Sequence, residues 1–295
     1  MVQNNLILGI DIGGQHITCS LVNLDTGSVI DETRVMSSVN PNAYANDILK
    51  IWCDSILMSC SYGLKPEGLG VAMPGPFDYE NGISKIKGVG KYDALYDLNI
   101  KEIFSSVSGL PPDRIKFMND ASCFALGEYH AGAGVKSDRM IAVTLGTGFG
   151  STFISGGQII TEGKGVPHGG MFWDVPYKTG IADDYFSTRW FVESYYKLSE
   201  GKVGGVYEIA RLYDSDKFAK ILFDEFASAF AEFLMPYFKD FNPDVFVVGG
   251  NIAHASGLFF PKLIEECKIN NINVKIALSE LWEDAALIGS GFLFK

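Results

Sequence analysis

The sequence lacks any run of about 18 uninterrupted apolar residues, which a membrane-spanning helix requires. Its first residues, MVQNNLILGIDIGG, have no basic start and only a short apolar run before Asp11, so they do not fit a signal peptide. Cysteine is also sparse, because the five cysteines are an odd number, widely spaced and without a CxxC pair. These absences predict a cytoplasmic protein with reduced thiols, no membrane partner and no clustered zinc site.

The chain also has few lysines and arginines relative to its acidic residues. The chain has 24 lysines and arginines against 35 aspartates and glutamates, a net charge of −11, and no dense basic run. Binding to a nucleic-acid backbone needs concentrated positive charge, so we expect no nucleic-acid partner. The 295 residues, 47% of them hydrophobic, are enough for one large domain or two ordinary ones.

The strand pattern occurs twice along the chain. Residues 6–36 are typical of strand, strand, Asp-Thr-Gly turn and strand, and residues 140–163 give strands and glycine turns in the same order. An internal duplication explains this similarity and predicts two α/β domains that face one another. The positions matched by the repeat are Asp11 with Thr144 and Gly13 with Gly146.

Helical patterns follow each strand-rich segment. Asn40 and Pro41 predict the start of the first helix, as N-cap and first helical residue. After Asp183 the apolar residues recur at helical spacing over most of the remaining chain. The boundary between the two domains is expected near residues 117–139.

Three glycine-rich turns follow apolar strands: Gly13-Gly14, Gly146-Thr147-Gly148 and Gly249-Gly250. Such turns can present backbone N–H groups to phosphate oxygens, although a single one more often serves only turn geometry. A dinucleotide-binding GxGxxG turn opens a helix, whereas a strand follows each of the first two turns here. The set therefore favours a nucleotide held between two domains.

Two acidic positions stand out beside these turns. Asp11 lies within an apolar strand, where a carboxylate is costly unless something compensates its charge. It would face either a cation or the amides of the turn. Asn119-Asp120 lie between a strand and a helix, where either residue can act as an ordinary N-cap.

The ordered segments DIGG, PGPFD, MNDASCFALGE, TLGTGFG and VVGGNIA resemble the ROK family of repressors, unassigned reading frames and sugar kinases, over nearly the whole chain. The resemblance implies an α/β fold of two actin-like ATPase (ribonuclease H-like) domains with a central cleft. We expect a small domain of residues 1–118 plus 281–295 and a large domain of residues 119–280.

The resemblance also implies an ATP-dependent kinase of glucokinase type, which transfers the γ-phosphate to the 6-hydroxyl of a hexose. ATP and Mg²⁺ are the implied cofactors, and the implied assembly is a homodimer. Asp11 would position the Mg²⁺, through water. The expected ATP-binding residues are Asp11, Gly13, Gly14, Thr144, Gly146, Thr147, Gly148, Gly249 and Gly250, the last two against the adenosine.

On the sugar side, the resemblance makes Asp120 the general base that takes the hydroxyl proton. Asn119 would bind adjacent hydroxyls, and Gly75 would lie against the sugar.

The sequence departs from the family after the second glycine turn. Gly170 and Trp173 stand where the family's sugar kinases carry the Glu and His of a Glu-x-x-His group, and VPYKTGIADD lacks the cysteines of their zinc loop. We therefore expect no structural zinc and a remodelled sugar pocket. Asp183 matches the second sugar-binding acid, although Asp183 or Asp184 can equally be a helix N-cap. His168 is a further candidate sugar ligand.

Two other functions remain open. One is a non-catalytic sugar-sensing or regulatory ROK protein, although the first strand begins at about residue 6 and leaves no room for an N-terminal DNA-binding domain. The other is a different actin-like ATPase, such as an acetate-kinase-like enzyme or a chaperone.

Overall fold

The computed structural model describes residues 5–295 of the chain. They divide into two compact units. The first runs to Gly132 and takes in Glu283–Lys295 from the end of the chain, and the second is Ala133–Trp282. None of the helices of the described residues is both long and apolar enough to cross a membrane.

The strands alternate with helices along both units. The strands are β1 Leu6–Ile12, β2 His16–Asn23, β3 Ser28–Val29, β4 Val35–Ser38, β5 Leu69–Met73, β6 Phe77–Asp78, β7 Ile83–Ser84, β8 Ile115–Asn119, β9 Arg139–Leu145, β10 Phe149–Ser155, β11 Gln158–Ile160, β12 Pro176–Tyr177, β13 Gly180–Ile181, β14 Val245–Gly249 and β15 Lys275–Leu278. The α-helices are α1 Ala45–Cys60, α2 Ile100–Ser108, α3 Asp120–Ala131, α4 Thr188–Ser199, α5 Val206–Arg211, α6 Lys217–Phe241, α7 Phe260–Ile269 and α8 Asp284–Gly291.

The first unit is built on a sheet with the order β3-β2-β1-β5-β8, to which β4 adds by pairing with β2. Strand β2 runs antiparallel to β1, whereas β1, β5 and β8 are mutually parallel. Every residue of β5 is buried, as expected for a parallel strand covered on both faces. Trp52 of α1 packs edge-on against Tyr92 with ring centroids 5.3 Å apart, in the apolar core of this unit.

Helix α3 packs against α8 through two glycines. A Cβ at Gly127 would overlap the Ala285 carbonyl, and one at Gly289 would overlap the Cys123 carbonyl. Only glycine allows the two backbones to approach this closely. The expected division at residue 118 falls before α3, whereas the compact units divide after it, because this contact joins α3 to the first unit.

The second unit has a sheet with the order β11-β10-β9-β14-β15. Strand β10 runs antiparallel to β9, and β9, β14 and β15 are parallel, so the arrangement of β9, β10 and β14 matches that of β1, β2 and β5. The internal repeat in the sequence thus corresponds to two sheets of like order. The core is rich in phenylalanine, with rings from α6 and from the segments around β10 packed edge to face.

The predicted helix start at Asn40 and Pro41 is wrong, because α1 begins at Ala45 with Tyr44 as its N-cap. The Asn40 side chain instead accepts a hydrogen bond from the Asn42 amide at 3.0 Å, which forms a local turn. The Pro41 carbonyl accepts from the amide of Tyr92 at 2.8 Å, a partner distant in the sequence. These two bonds hold the segment outside the helix.

Candidate functional site

In the first unit, the predicted residues collect at one edge of the sheet. Asp11 on β1 pairs in register with Ala72 on β5, and Met73 on β5 pairs with Asn119 on β8. Because these strands are parallel, their carboxyl ends meet at the same edge, where ligands commonly bind in α/β folds. Asp11, the Gly13-Gly14 turn, Gly75 and Asn119-Asp120 all lie at or just beyond it.

Asp11 is partly buried at this edge and lies near two other acids. Burial, then the negative charge of Asp120 and then that of Glu283, raise the pKa of Asp11 to about 7. A carboxylate in such a setting gains from a bound cation, which would offset the repulsion. Residues 5–295 bring together no group of three or more His, Cys, Asp or Glu side chains that could hold a metal ion. A hydrated Mg²⁺, which keeps several waters and needs one or two carboxylates, fits this donor set.

The Gly13–Gln15 turn connects β1 to β2. The Gly13 amide donates to the His16 carbonyl at 3.0 Å, and the Tyr92 hydroxyl donates to the Gly13 carbonyl at 2.8 Å. A Cβ at Gly13 would overlap the His16 ring. Among the described residues, the amides of Gly14 and Gln15 have no hydrogen-bond acceptor, so they can serve an anion.

Of Asn119 and Asp120, one caps the helix and the other is left free to accept a proton. Asn119 is the N-cap of α3, and its Oδ1 accepts from the amides of Ala121 at 3.1 Å and Ser122 at 3.3 Å. Its Nδ2 donates to Oδ1 of Asp120 at 2.9 Å, and the Ala121 amide donates to the same oxygen at 2.9 Å. Asp120 is exposed, and within residues 5–295 its Oδ2 has no hydrogen-bond partner. One oxygen is thus held, and the other can accept a proton.

Tyr79 belongs to this edge, and sequence reasoning missed it. Its hydroxyl donates to the Met73 carbonyl at 3.1 Å, and a Cβ at Gly75 would lie 3.3 Å from that hydroxyl. Burial raises the pKa of Tyr79, the Asn119 side chain lowers it, and the charge of Asp120 raises it again. Nothing in the sequence around Tyr79 predicts these contacts, since it directly follows the PGPFD segment and is one of 13 tyrosines.

In the second unit, the predicted nucleotide-binding residues also gather at the carboxyl end of parallel strands. Thr144 on β9 pairs in register with Gly249 on β14. Gly250 has a φ of +83°, and a Cβ there would overlap the backbone of Leu145, so only glycine allows β14 to end so close to β9. Within the described chain, the amides of Thr147 and Gly148 have no acceptor.

Two side chains hold the Gly146–Gly148 turn in place. Oδ1 of Asp183 accepts from the Phe149 amide at 2.7 Å. On the other side, the amide and Oγ1 of Thr188 donate to the Gly146 carbonyl at 2.8 Å and 2.9 Å. Sequence reasoning missed Thr188, which opens α4 more than 40 residues after the turn.

Asp183 and Asp184 are not caps of α4, because Ser187 is its N-cap. Asp184 instead accepts from the Ile181 amide at 3.1 Å, within the short 3-10 turn Ala182–Asp184. Arg189 pairs with Oδ2 of Asp183 at 3.4 Å and with Oδ1 of Asp184 at 3.0 Å. Asp183 therefore lies between the Gly146–Gly148 turn and the Arg189 guanidinium.

The backbone conformation of residues 168–173, where the sequence departs from the family, limits which side chains can occur there. Gly170 is buried with a φ of +70°, and a Cβ there would lie 2.7 Å from the Ile160 carbonyl, so a glutamate does not fit this conformation. Trp173 is 47% exposed, and its carbonyl accepts from the Asp183 amide at 3.0 Å. His168 is exposed, and its side chain makes no hydrogen bond with any described residue. Within residues 5–295, no hydrogen bond joins the His168 side chain to the other candidate residues.

Comparison with known proteins gives matches over nearly the whole chain. The sequence model of the ROK family matches residues 7–295. A glucokinase from Thermotoga maritima is 26% identical over an alignment 317 positions long, which covers 98% of this chain and 97% of that protein.

Two solved structures are similar in fold. A ROK hexokinase from Thermus thermophilus has a TM-score of 0.80 at 20% identity, with 97% of this chain and 96% of that chain covered. A ROK glucokinase from Streptomyces griseus, solved with glucose and AMPPNP, has a TM-score of 0.72 at 22% identity and covers 98% of both chains.

Proposed function

Because the chain belongs to the ROK family, with its two-domain actin-like ATPase fold, we propose that it is an ATP-dependent sugar kinase. The proposed reaction is transfer of the γ-phosphate to the 6-hydroxyl of a hexose. The observation that carries the proposal is the free Oδ2 of Asp120 at the same sheet edge as the Asp11 carboxylate. A glucokinase among the relatives and a glucokinase crystallised with an ATP analogue support it.

Asp120 acts as the general base in this proposal. Its Oδ2 accepts the proton of the 6-hydroxyl as the hydroxyl oxygen bonds to the γ-phosphorus and the bond to the ADP oxygen breaks. Proton transfer of this kind contributes about 10²- to 10⁴-fold in rate. The two N–H groups on Oδ1 hold the carboxylate in place, so that Oδ2 stays free to accept the proton.

Asp11 would hold Mg²⁺ through water, and the cation would supply charge neutralisation to the phosphates. The raised pKa of Asp11 fits a group whose charged form needs that cation. Gly13 and Gly14 contribute the first phosphate-binding turn. Since most of the rate in phosphoryl transfer comes from positioning and charge neutralisation, these groups matter as much as the base.

The second unit binds ATP in this proposal. The free amides of Thr147 and Gly148 donate to phosphate oxygens, with Thr144 and Gly146 in the same turn region. Gly249 and Gly250 lie against the adenosine, at the end of β14. Asp183 and Thr188 keep the turn in the conformation that presents these amides.

The proposed sugar contacts differ from those of the family's sugar kinases. Gly75, Asn119, Asp183 and His168 are the proposed sugar-binding residues. A glutamate is excluded at Gly170 by the backbone, so the hexose is held by a different set of groups from the usual one. We therefore propose that the sugar selectivity is altered. We also propose that the protein is a cytoplasmic homodimer, as the resemblance to the family implies.

The test is Mg²⁺-dependent ADP release with glucose, mannose, fructose, N-acetylglucosamine, N-acetylmannosamine and β-glucosides. Asp120→Asn is the active-site variant, and Asp113→Asn, an exposed aspartate of the same unit, is the matched control. Turnover with one sugar that is lost only in Asp120→Asn supports the kinase. Binding of ATP without turnover on any sugar would instead favour a sugar-sensing regulator.

A further inference from the structure

We propose that Tyr79 is a positioning residue that fixes Asn119 and, through it, the Asp120 carboxylate. This inference rests on the proposed kinase function. It adds a residue that neither the glycine turns nor the Asn-Asp pair identifies, and that no local sequence pattern marks.

Tyr79 lies in the turn between β6 and β7, which is held by its own bonds. Oδ1 of Asp78 accepts from the Asn81 amide at 3.0 Å, and the Asp78 carbonyl accepts from the Gly82 amide at 2.8 Å. The Tyr79 ring also packs on Phe77, with centroids 5.4 Å apart. The phenol is therefore presented from a defined turn, so little rotamer freedom is left to it.

The hydroxyl ties this turn to the end of β5. It donates to the carbonyl of Met73, the residue that pairs in register with Asn119 on β8. The bond therefore lies one strand spacing from the Asn119-Asp120 pair. The same hydroxyl lies against Gly75, where a side chain would meet it at 3.3 Å. The hydroxyl therefore contacts the chain between the end of β5 and Gly75 at two points.

Asn119 transmits the effect to the base. Its Oδ1 is committed to the helix amides, and its Nδ2 holds Oδ1 of Asp120. The Met73 carbonyl that the Tyr79 hydroxyl binds belongs to the residue paired with Asn119, so this bond fixes the strand end beside Asn119. Removing the hydroxyl releases the end of β5 next to Asn119, so the Asp120 carboxylate loses part of its fixed orientation.

The experiment is a double-mutant cycle on kcat and KM. Tyr79→Phe keeps the ring and removes only the hydroxyl. Asn119→Ser keeps a capping oxygen for α3 and removes the Nδ2 donor. Tyr44→Phe, whose residue is 84% exposed, is the matched control.

We expect Tyr79→Phe to lower kcat about three- to tenfold, the range for one net hydrogen bond, with KM for ATP unchanged. In the Asn119→Ser background, the same change should have no further effect on kcat. Tyr44→Phe should match the wild type.

Three results would overturn the inference. Wild-type kcat in Tyr79→Phe would show that the hydroxyl does not position the base. An equal loss in both backgrounds would show that it does not act through Asn119. Both results leave the kinase proposal intact, whereas a wild-type protein without turnover on any sugar overturns the kinase proposal and the inference together.

Discussion

Asp11 makes the stability of the chain depend on pH in a direction that is unusual for an aspartate. Its pKa is raised from an ordinary 3.8 to about 7, chiefly by burial and then by Asp120 and Glu283. The folded chain therefore retains this proton in a range where the unfolded chain has lost it. The stabilising contribution is fully present below about pH 4 and is lost as the pH rises to about 7.

The size of the effect follows from the two pKa values. A rise from 3.8 to about 7 corresponds to roughly 4 kcal/mol in the free energy of unfolding, at about 1.36 kcal/mol per pH unit. Roughly 60% of this contribution is lost between pH 5 and pH 8, and screening by water at a partly exposed group reduces that change to about 2 kcal/mol.

The perturbation is Asp11→Asn, which imitates the protonated acid and does not titrate. We expect the variant to become more stable relative to the wild type by about 2 kcal/mol between pH 5 and pH 8, in metal-free urea unfolding. Titrating groups that do not interact with Asp11 cancel in the difference between the two proteins. Asp113→Asn, at an exposed position, is the matched control.

Magnesium extends the same assay. At pH 8, Mg²⁺ should stabilise the wild type and have little effect on Asp11→Asn, because only the carboxylate attracts the cation. A stability difference between wild type and Asp11→Asn that stays constant from pH 5 to pH 8 would refute the reasoning about burial and charge.

Three further predictions concern the groups that hold the glycine turns. Tyr92→Phe removes the hydroxyl on the Gly13 carbonyl, so KM for ATP should rise about two- to tenfold in steady-state assays; an unchanged KM would argue against this support. Gly250→Ala should cost about 2–4 kcal/mol in urea unfolding through its positive φ and its overlap with Leu145, whereas Gly257→Ala, with open space around it, should cost little. Asp183→Ala removes the acceptor of the Phe149 amide, so calorimetry should show ATP binding weakened about five- to thirtyfold; Asp174→Ala is the exposed control, and equal affinities would contradict the role.

Much of the site could be predicted because its signals are local. The apolar strand before Asp11 and the glycines after it specify a strand and a tight turn within a few residues. The same holds for Gly146–Gly148 and for Gly249-Gly250, and the ordered set of segments predicted the family that the family model confirms. Parallel pairing then brings these separate strand ends to common edges.

The wrong helix start, the omissions and the different division of the chain come from contacts between distant residues. The start of α1 was misplaced because the Pro41 carbonyl is bound by the amide of Tyr92. The division of the chain differs because α3 packs on α8 through glycines that lie far apart in the sequence.

The sequence by itself determined the strands, the glycine turns, the acids beside them and the family, because periodicity, turn chemistry and motif order act over short stretches. Only the tertiary structure decided which oxygen of Asp120 is free, that Gly170 excludes a side chain, and that the hydroxyls of Tyr79, Tyr92 and Thr188 bind the carbonyls of Met73, Gly13 and Gly146. These features depend on hydrogen bonds and close approaches between segments that are joined only by folding, and no local pattern encodes such pairs.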